Sequence, residues 1–380
     1  MKYLYLALLL AVLSSCRRNK FAEISGTATG FTSGTLIIKD QDGHIKFSGN
    51  IEDGKFDFHL TVDTIGYYTM RIIKISAMQN RIPGYDIYLE PGTYTIAAEP
   101  ETARRYPAIT SSSETQTELS QYYAIANTQN AAVAKGLQQY SDAINDKSSS
   151  TDDIAKARNL RDSLLNQQEK NKIRALATYV GQYPQSKVAA HILSQLDYES
   201  NADDCYPIYQ KFTDEQKKTA DGIEEGDKLN GLKKLAPGNV APQLAGVTID
   251  GKPFDPQMVK GKITLVEFWT ADNELSRDVH SKLLHDSFSP LKTYQNFTVV
   301  SVSLDTDPKV WKNAVSSGGL TWINISDLKG DDSPNEKNWQ ATKIPSYILV
   351  DGDWKIIKRN IGFNVLSEEL QDYMDKNKIK

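Results

Sequence analysis

Sulfur is scarce in this chain. Its 380 residues include two cysteines, Cys16 and Cys205, and five methionines, so no multi-bridge disulfide framework of the kind that staples small secreted domains can form. Positive charge is not in excess either. With 44 Lys and Arg against 48 Asp and Glu, the net charge is −4, which leaves no basic footprint and argues against nucleic acid as a partner. No apolar run reaches the ~20 residues of a membrane-spanning helix. A Gly-rich phosphate loop and a nucleophile elbow are both absent, and nothing in the sequence calls for a cofactor. Histidine is rare as well, at five residues. His44 and His59 have no neighbour at metal-ligand spacing, and His280 and His285 are too far round a helix to share an i, i+4 face. Asp327, Asp331, Asp332 and Glu336 form an acidic loop whose spacing fits no calcium loop, so no metal site is expected.

What is present centres on Gly261–Arg277, GKITLVEFWTADNELSR. Ile263 to Trp269 is β-branched and aromatic, as a strand covered on both faces should be. Thr270, Asp272 and Asn273 follow at once; their side chains can accept the free amide hydrogens of a first helical turn, and Glu274 suits that end of the helix dipole. Strand, tight turn and helix N-terminus together form the geometry that activates a thiol, and a second cysteine three residues on would resolve a mixed disulfide.

In this stretch the sequence resembles the thioredoxin-like thiol-disulfide oxidoreductases attached to bacterial membranes, in which Phe-Trp leads into Cys-x-x-Cys followed by arginine. Phe268, Trp269 and Arg277 stand where that pattern wants them, but the two cysteine positions fall on Asn273 and Ser276. An amide cannot attack a disulfide, and an unactivated hydroxyl has too high a pKa to form the sulfur intermediate. The resemblance therefore implies a domain stripped of its redox chemistry. Ile344-Pro345, in KIPSYILVDGDWKII, is the second landmark. In the family this proline has a cis peptide bond and faces the active-site turn, and the residue before it pairs with an extended substrate peptide.

The first sixteen residues, MKYLYLALLLAVLSSC, read as an export signal: one lysine, an apolar core from Leu4 to Leu13, then small residues. The core is too short to span a membrane. Leu13-Ser14-Ser15-Cys16 resembles the lipobox of bacterial lipoproteins, which implies lipidation of Cys16. Two or more acyl chains, at ~0.8 kcal/mol per buried CH₂, would anchor the chain durably to the membrane. Arg17 in place of aspartate favours, by the same resemblance, the outer membrane of a Gram-negative cell, and the absence of an acidic run after Cys16 points to the periplasmic side. With Cys16 lipidated, Cys205 is a lone thiol.

The fold class expected is α+β and multidomain. Residues 21–100 alternate like short strands, with Asp42-Gly43 and Asp53-Gly54 as hairpin turns, suggesting a small sandwich or barrel. This part resembles the β-rich domain of unassigned function found ahead of thioredoxin-like domains, most clearly at YLEPGTYTI. Residues 110–235 read as helical, with long helices over Thr117 to Tyr140 and Thr151 to Tyr183 and shorter ones after. Tyr122, Tyr123 and Tyr140 fit helix packing better than a ligand site. Pro237 to Pro242 reads as a linker, and 236–380 follows a thioredoxin-like order of β-α-β steps, hairpin and terminal helix.

Three functions compete at this stage. The first is a redox-inactive module that binds an envelope protein or peptide through a groove of Trp269, Asp272, Asn273, Ile344 and Pro345, without catalytic residues. The second is an enzyme of the family acting in envelope redox balance through Cys205 or a partner's thiol. The third is a scaffold that only holds the other domains at the membrane. For the anchor, the expected outcome of Cys16→Ala is loss of fatty-acid labelling and release of the protein from the membrane fraction, read by metabolic labelling and fractionation.

Overall fold

The computed structural model describes residues 20–74, 84–99, 105–146, 150–286 and 289–377. The export segment and Cys16 lie outside them. Two compact units divide the chain, one ending at Ile192 and the other beginning at Leu193.

The first unit opens with seven strands: β1 (Phe21–Ala28), β2 (Ser33–Lys39), β3 (Ile45–Glu52), β4 (Lys55–Thr61), β5 (Gly66–Lys74), β6 (Tyr85–Leu89) and β7 (Gly92–Ala98). All seven lie where the alternation of apolar and polar residues puts them. An eighth, β8 (Ala108–Ser111), is too short to show a period in the sequence. The order is β6-β5-β2-β3-β4-β1-β7-β8, with β1 and β7 parallel. β3 and β4 pair only at Glu52–Lys55, so the sheet folds there and brings Ile24, Leu36, Ile38, Met70, Ile87 and Ile96 into one core. The turn at that fold uses left-handed backbone at Asp53 (φ 48°) and Gly54 (φ 71°), as the Asp-Gly signal requires.

Helices α1 (Glu114–Gln129), α2 (Ala131–Asn145) and α3 (Thr151–Gln182) follow. The single helix expected over Thr117 to Tyr140 is in fact two. Asn130 leaves the helical conformation at φ −93°, ψ 4°, and Asn171 on α3 covers the break, donating to the Gln129 carbonyl at 3.0 Å and to Asn130 Oδ1 at 3.2 Å. A side chain 41 residues away thus stabilises the kink, a contact that no local pattern encodes. Tyr122 is buried and packs against Tyr123 and Tyr179, in keeping with the packing role. A short helix α4 (Ala189–Ser194) closes this part of the chain.

The helical stretch read as one block over 110–235 continues into the second unit with α5 (Ala202–Gln210), α6 (Asp214–Lys217) and α7 (Ala220–Lys234). The Pro237–Pro242 segment is more than a linker: Gly238 N–H donates to the Ile356 carbonyl, Ile356 N–H to Asn239, and Ala241 N–H to Trp354, each at 2.8 Å. These bonds cover a sheet edge that would otherwise stay open.

That sheet contains β9 (Val247–Thr248), β10 (Ile263–Trp269), β11 (Phe297–Ser303), β12 (Ile323–Ser326), β13 (Ser346–Val350) and β14 (Ile356–Arg359), in the order β14-β13-β10-β11-β12-β9. β10, β11 and β12 are parallel, β9 and β13 run against them, and β14, antiparallel to β13, runs with them again. Every residue of β10 is buried. Ile263, Leu265, Glu267 and Trp269 point to one face. Val266 and Phe268 point to the other, with Trp339 and Trp354. The first face is covered by α8 (Glu274–His285), α9 (Pro290–Thr293), α10 (Pro308–Ser317) and the final helix α12 (Leu366–Asn377), while α11 (Pro334–Trp339) supplies Trp339 to the second. This α+β architecture, β-rich, then helical, then thioredoxin-like, agrees with the sequence reading. β12, α9 and α11 are additions to it.

Candidate functional site

The turn between β10 and α8 is braced from every side. Ala271 N–H donates to both oxygens of Asp305, at 3.1 and 3.2 Å, and the Ala271 carbonyl accepts from Arg277 Nη1 at 2.8 Å. Asp305 is itself held by Ser303, whose hydroxyl donates to it at 2.7 Å. Thr270 Oγ1 donates to Asp272 Oδ1 at 2.7 Å. Asn273 is the N-cap of α8: its Oδ1 accepts from Ser276 N–H at 2.9 Å and from the Ser276 hydroxyl at 3.2 Å. Because Oδ1 must face those donors, the amide NH₂ points outward, and it donates to the Ile344 carbonyl at 3.2 Å. Ile344-Pro345 is cis. Asn273, Ser276, Ile344 and Pro345 are therefore brought together, as expected from the sequence.

Trp269 needs correction as a groove residue. It is 1% exposed, at the last position of β10 on the face covered by Trp311, Val315 and Leu320, so it cannot touch a peptide. Asp272 is exposed, and its carboxylate is engaged with Thr270. Leu275, which the sequence reading passed over, is 64% exposed on the first turn of α8. It is the apolar group that the site offers to solvent.

Below the turn lies a polar cluster also missed in the sequence. Glu267 is 0% exposed. Its Oε2 pairs with His280 Nε2 at 2.9 Å and accepts from the Ser301 hydroxyl at 2.6 Å, and Ser301 in turn accepts from Trp322 Nε1 at 2.8 Å. His280 sits edge-on against Trp269, with ring centroids 4.7 Å apart. Tyr347 lies opposite Glu267 in the strand register, and its phenol is raised well above the ordinary range by burial and then by the Glu267 carboxylate. Glu267 Oε1, Trp269 Nε1 and the Tyr347 hydroxyl have no partner among the described residues. A signal for this cluster existed: a glutamate inside an otherwise uncharged strand buried on both faces demands a partner.

Cys205 is 0% exposed on α5. Burial, and then the neighbouring Asp204, pushes its thiol up to about 12, so at neutral pH it is not a nucleophile. His44 does have near neighbours, contrary to the reading of its spacing: Asp40, Asp42 and His44 offer ligand atoms within 4.8 Å of one another on the β2–β3 turn. Asp40 is occupied by Lys46 at 3.1 Å and by the His44 N–H at 2.8 Å, and Asp42 and His44 are exposed. Asp327 accepts from the Ser333 hydroxyl at 2.8 Å, holding its own loop together. No helix among the described residues is long and apolar enough to cross a membrane.

Comparison with known proteins agrees with this architecture. Residues 261–356 match the thioredoxin-like family, and residues 22–119 match a domain of unknown function, DUF4369. The chain thus carries a C-terminal thioredoxin-like domain behind an N-terminal DUF4369 domain. Among solved structures it is similar to a thiol-disulfide oxidoreductase from Bacteroides fragilis, at 23% identity over 36% of this chain and 99% of that one, TM-score 0.33. It is also similar to the thioredoxin domain of a thiol-disulfide oxidoreductase from Bacteroides vulgatus, at 27% identity over 36% of this chain and 97% of that one, TM-score 0.32. A thiol:disulfide interchange protein from a Bacteroides species matches at 26% identity over 37% and 92%, TM-score 0.33. No curated protein matches this chain.

Removing one partner of a buried pair strands the other. Glu267→Ala is expected to lower unfolding free energy by about 3–5 kcal/mol, and Glu267→Leu with His280→Leu to recover part of that loss, both read by urea denaturation.

Proposed function

We propose that this chain is a lipid-anchored envelope protein, held by Cys16 in the outer membrane and facing the periplasm. Its thioredoxin-like domain lacks both active-site thiols and serves as a redox-inactive module that binds an extended peptide. The observation that carries the reading is the hydrogen bonding of Asn273. Where the family resemblance places the attacking cysteine, an amide caps α8 and reaches the carbonyl before the cis proline. Ser276, at the resolving position, is buried and donates to Asn273. Both positions are built into the fold as hydrogen-bonding groups, and neither can carry electrons.

The strand-docking geometry survives this replacement. A peptide can add along the Ile344 edge without covalent chemistry, beside the exposed Leu275. The groove then comprises Asp272, Asn273, Leu275, Ile344 and Pro345, with Trp269 as its buried support. The competing reading, thiol exchange through Cys205, is opposed by that residue's burial and raised pKa.

The test is to return the sulfur. With Asn273→Cys and Ser276→Cys together, the soluble domains are expected to gain dithiol-dependent insulin reduction well above the buffer rate, because the walls of the site are retained. A wild-type protein that already reduces insulin, with loss of that activity in Cys205→Ser, would contradict the reading.

A further inference from the structure

The segment leading to the cis proline is occupied by the chain itself. Glu199, in the loop between α4 and α5, accepts from the Thr342 hydroxyl at 3.0 Å through Oε1 and pairs with Lys343 Nζ at 2.7 Å through Oε2. Its backbone carbonyl accepts from the Arg359 guanidinium and, at 3.4 Å, from Asn360 Nδ2. Asp203 and Asp197 add further negative charge near Arg359. The stretch Asp197 to Asp203, DYESNAD, thus places three carboxylates by a cationic ledge of Lys343 and Arg359.

The ledge lies along an open backbone edge. The N–H groups of Thr342, Lys343 and Ile344 make no hydrogen bond among the described residues, because β13 starts only at Ser346. Free backbone donors are what an added strand needs. The Glu199 contact with the side chains beside them is of the releasable kind. Lys343 is 76% exposed at its side chain, and ion pairs of this sort contribute about 0–1 kcal/mol and weaken with salt.

We propose that the 197–203 segment, the α4–α5 loop and the start of α5, is a built-in pseudo-ligand, and that the partner of this site is an extended acidic peptide that displaces it. The incoming carboxylate takes the place of Glu199 on Thr342 and Lys343, and the peptide backbone runs along Thr342–Ile344 toward the cis proline. The inference rests on the peptide-binding reading above and adds to it a ligand class and a resting, self-occupied state.

The test uses a fluorescent peptide copying residues 195–203, followed by anisotropy against the wild-type domains, Glu199→Ala, and a chain in which 197–201 are replaced by glycine and serine. Both altered proteins are expected to bind the peptide more tightly than wild type, by about twofold to fivefold for Glu199→Ala, the upper figure being the fold-change that about 1 kcal/mol allows. Binding is expected to weaken as salt rises. A control peptide with Asp197, Glu199 and Asp203 exchanged for their amides should lose most of the affinity. Equal binding of the amide peptide would overturn the acidic ligand class while leaving the peptide-binding reading standing. No binding of either peptide by a folded Glu199→Ala protein, its fold checked by circular dichroism, would overturn the pseudo-ligand, and the Glu199→Ala result decides the question if the loop-replaced chain does not fold.

Discussion

A single side-chain amide holds the candidate site together. Asn273 satisfies the first turn of α8 with its oxygen and ties that turn to the Ile344 carbonyl with its nitrogen. An N-cap of this type is worth about 1 kcal/mol to its helix, but its larger consequence is geometric. The strand-turn-helix unit and the cis-proline loop, 71 residues apart in sequence, are joined at the point where a thiol would need freedom to move. The surrounding bonds, between Ala271 N–H and Asp305 and between Arg277 and the Ala271 carbonyl, fix the turn on both sides of Ala271.

The cluster under the turn sets a second constraint. Glu267 replaces an apolar residue in the row Ile263, Leu265, Trp269, and a buried carboxylate is tolerated only with partners in place. His280, Ser301 and Trp322 provide them from α8, β11 and the approach to β12. These bonds fix the register of the helix against the sheet, and His280 in turn packs against Trp269. Rigidity in the turn therefore depends on polar contacts in the core as well as on apolar packing.

Much of the fold was legible because local patterns and tertiary structure agree. The Asp-Gly turns, the alternation of β1 to β7 and the unbroken apolar run of β10 each announce their element. The parts that were not legible depend on long-range partners. The break at Asn130 rests on Asn171, and β12 and α11 are too short to show a period. Asn273, Ser276, Ile344 and Pro345 were identified through the resemblance and do converge. The burial of Trp269 is not legible, because an aromatic at a strand end reads the same whether it faces solvent or core. Nor is the pairing of His280 with Glu267, since thirteen residues separate them.

The central claim is that the Asn273 amide ties the first turn of α8 to the Ile344 carbonyl, and Asn273→Asp tests it most directly. A carboxylate keeps the oxygen that caps α8 but has no hydrogen to give the carbonyl. The unfolding free energy, read by urea denaturation, should then fall by about 1 kcal/mol, because the Ile344 carbonyl loses its donor and meets a carboxylate in its place. An unfolding free energy equal to that of the wild type in Asn273→Asp would contradict the account.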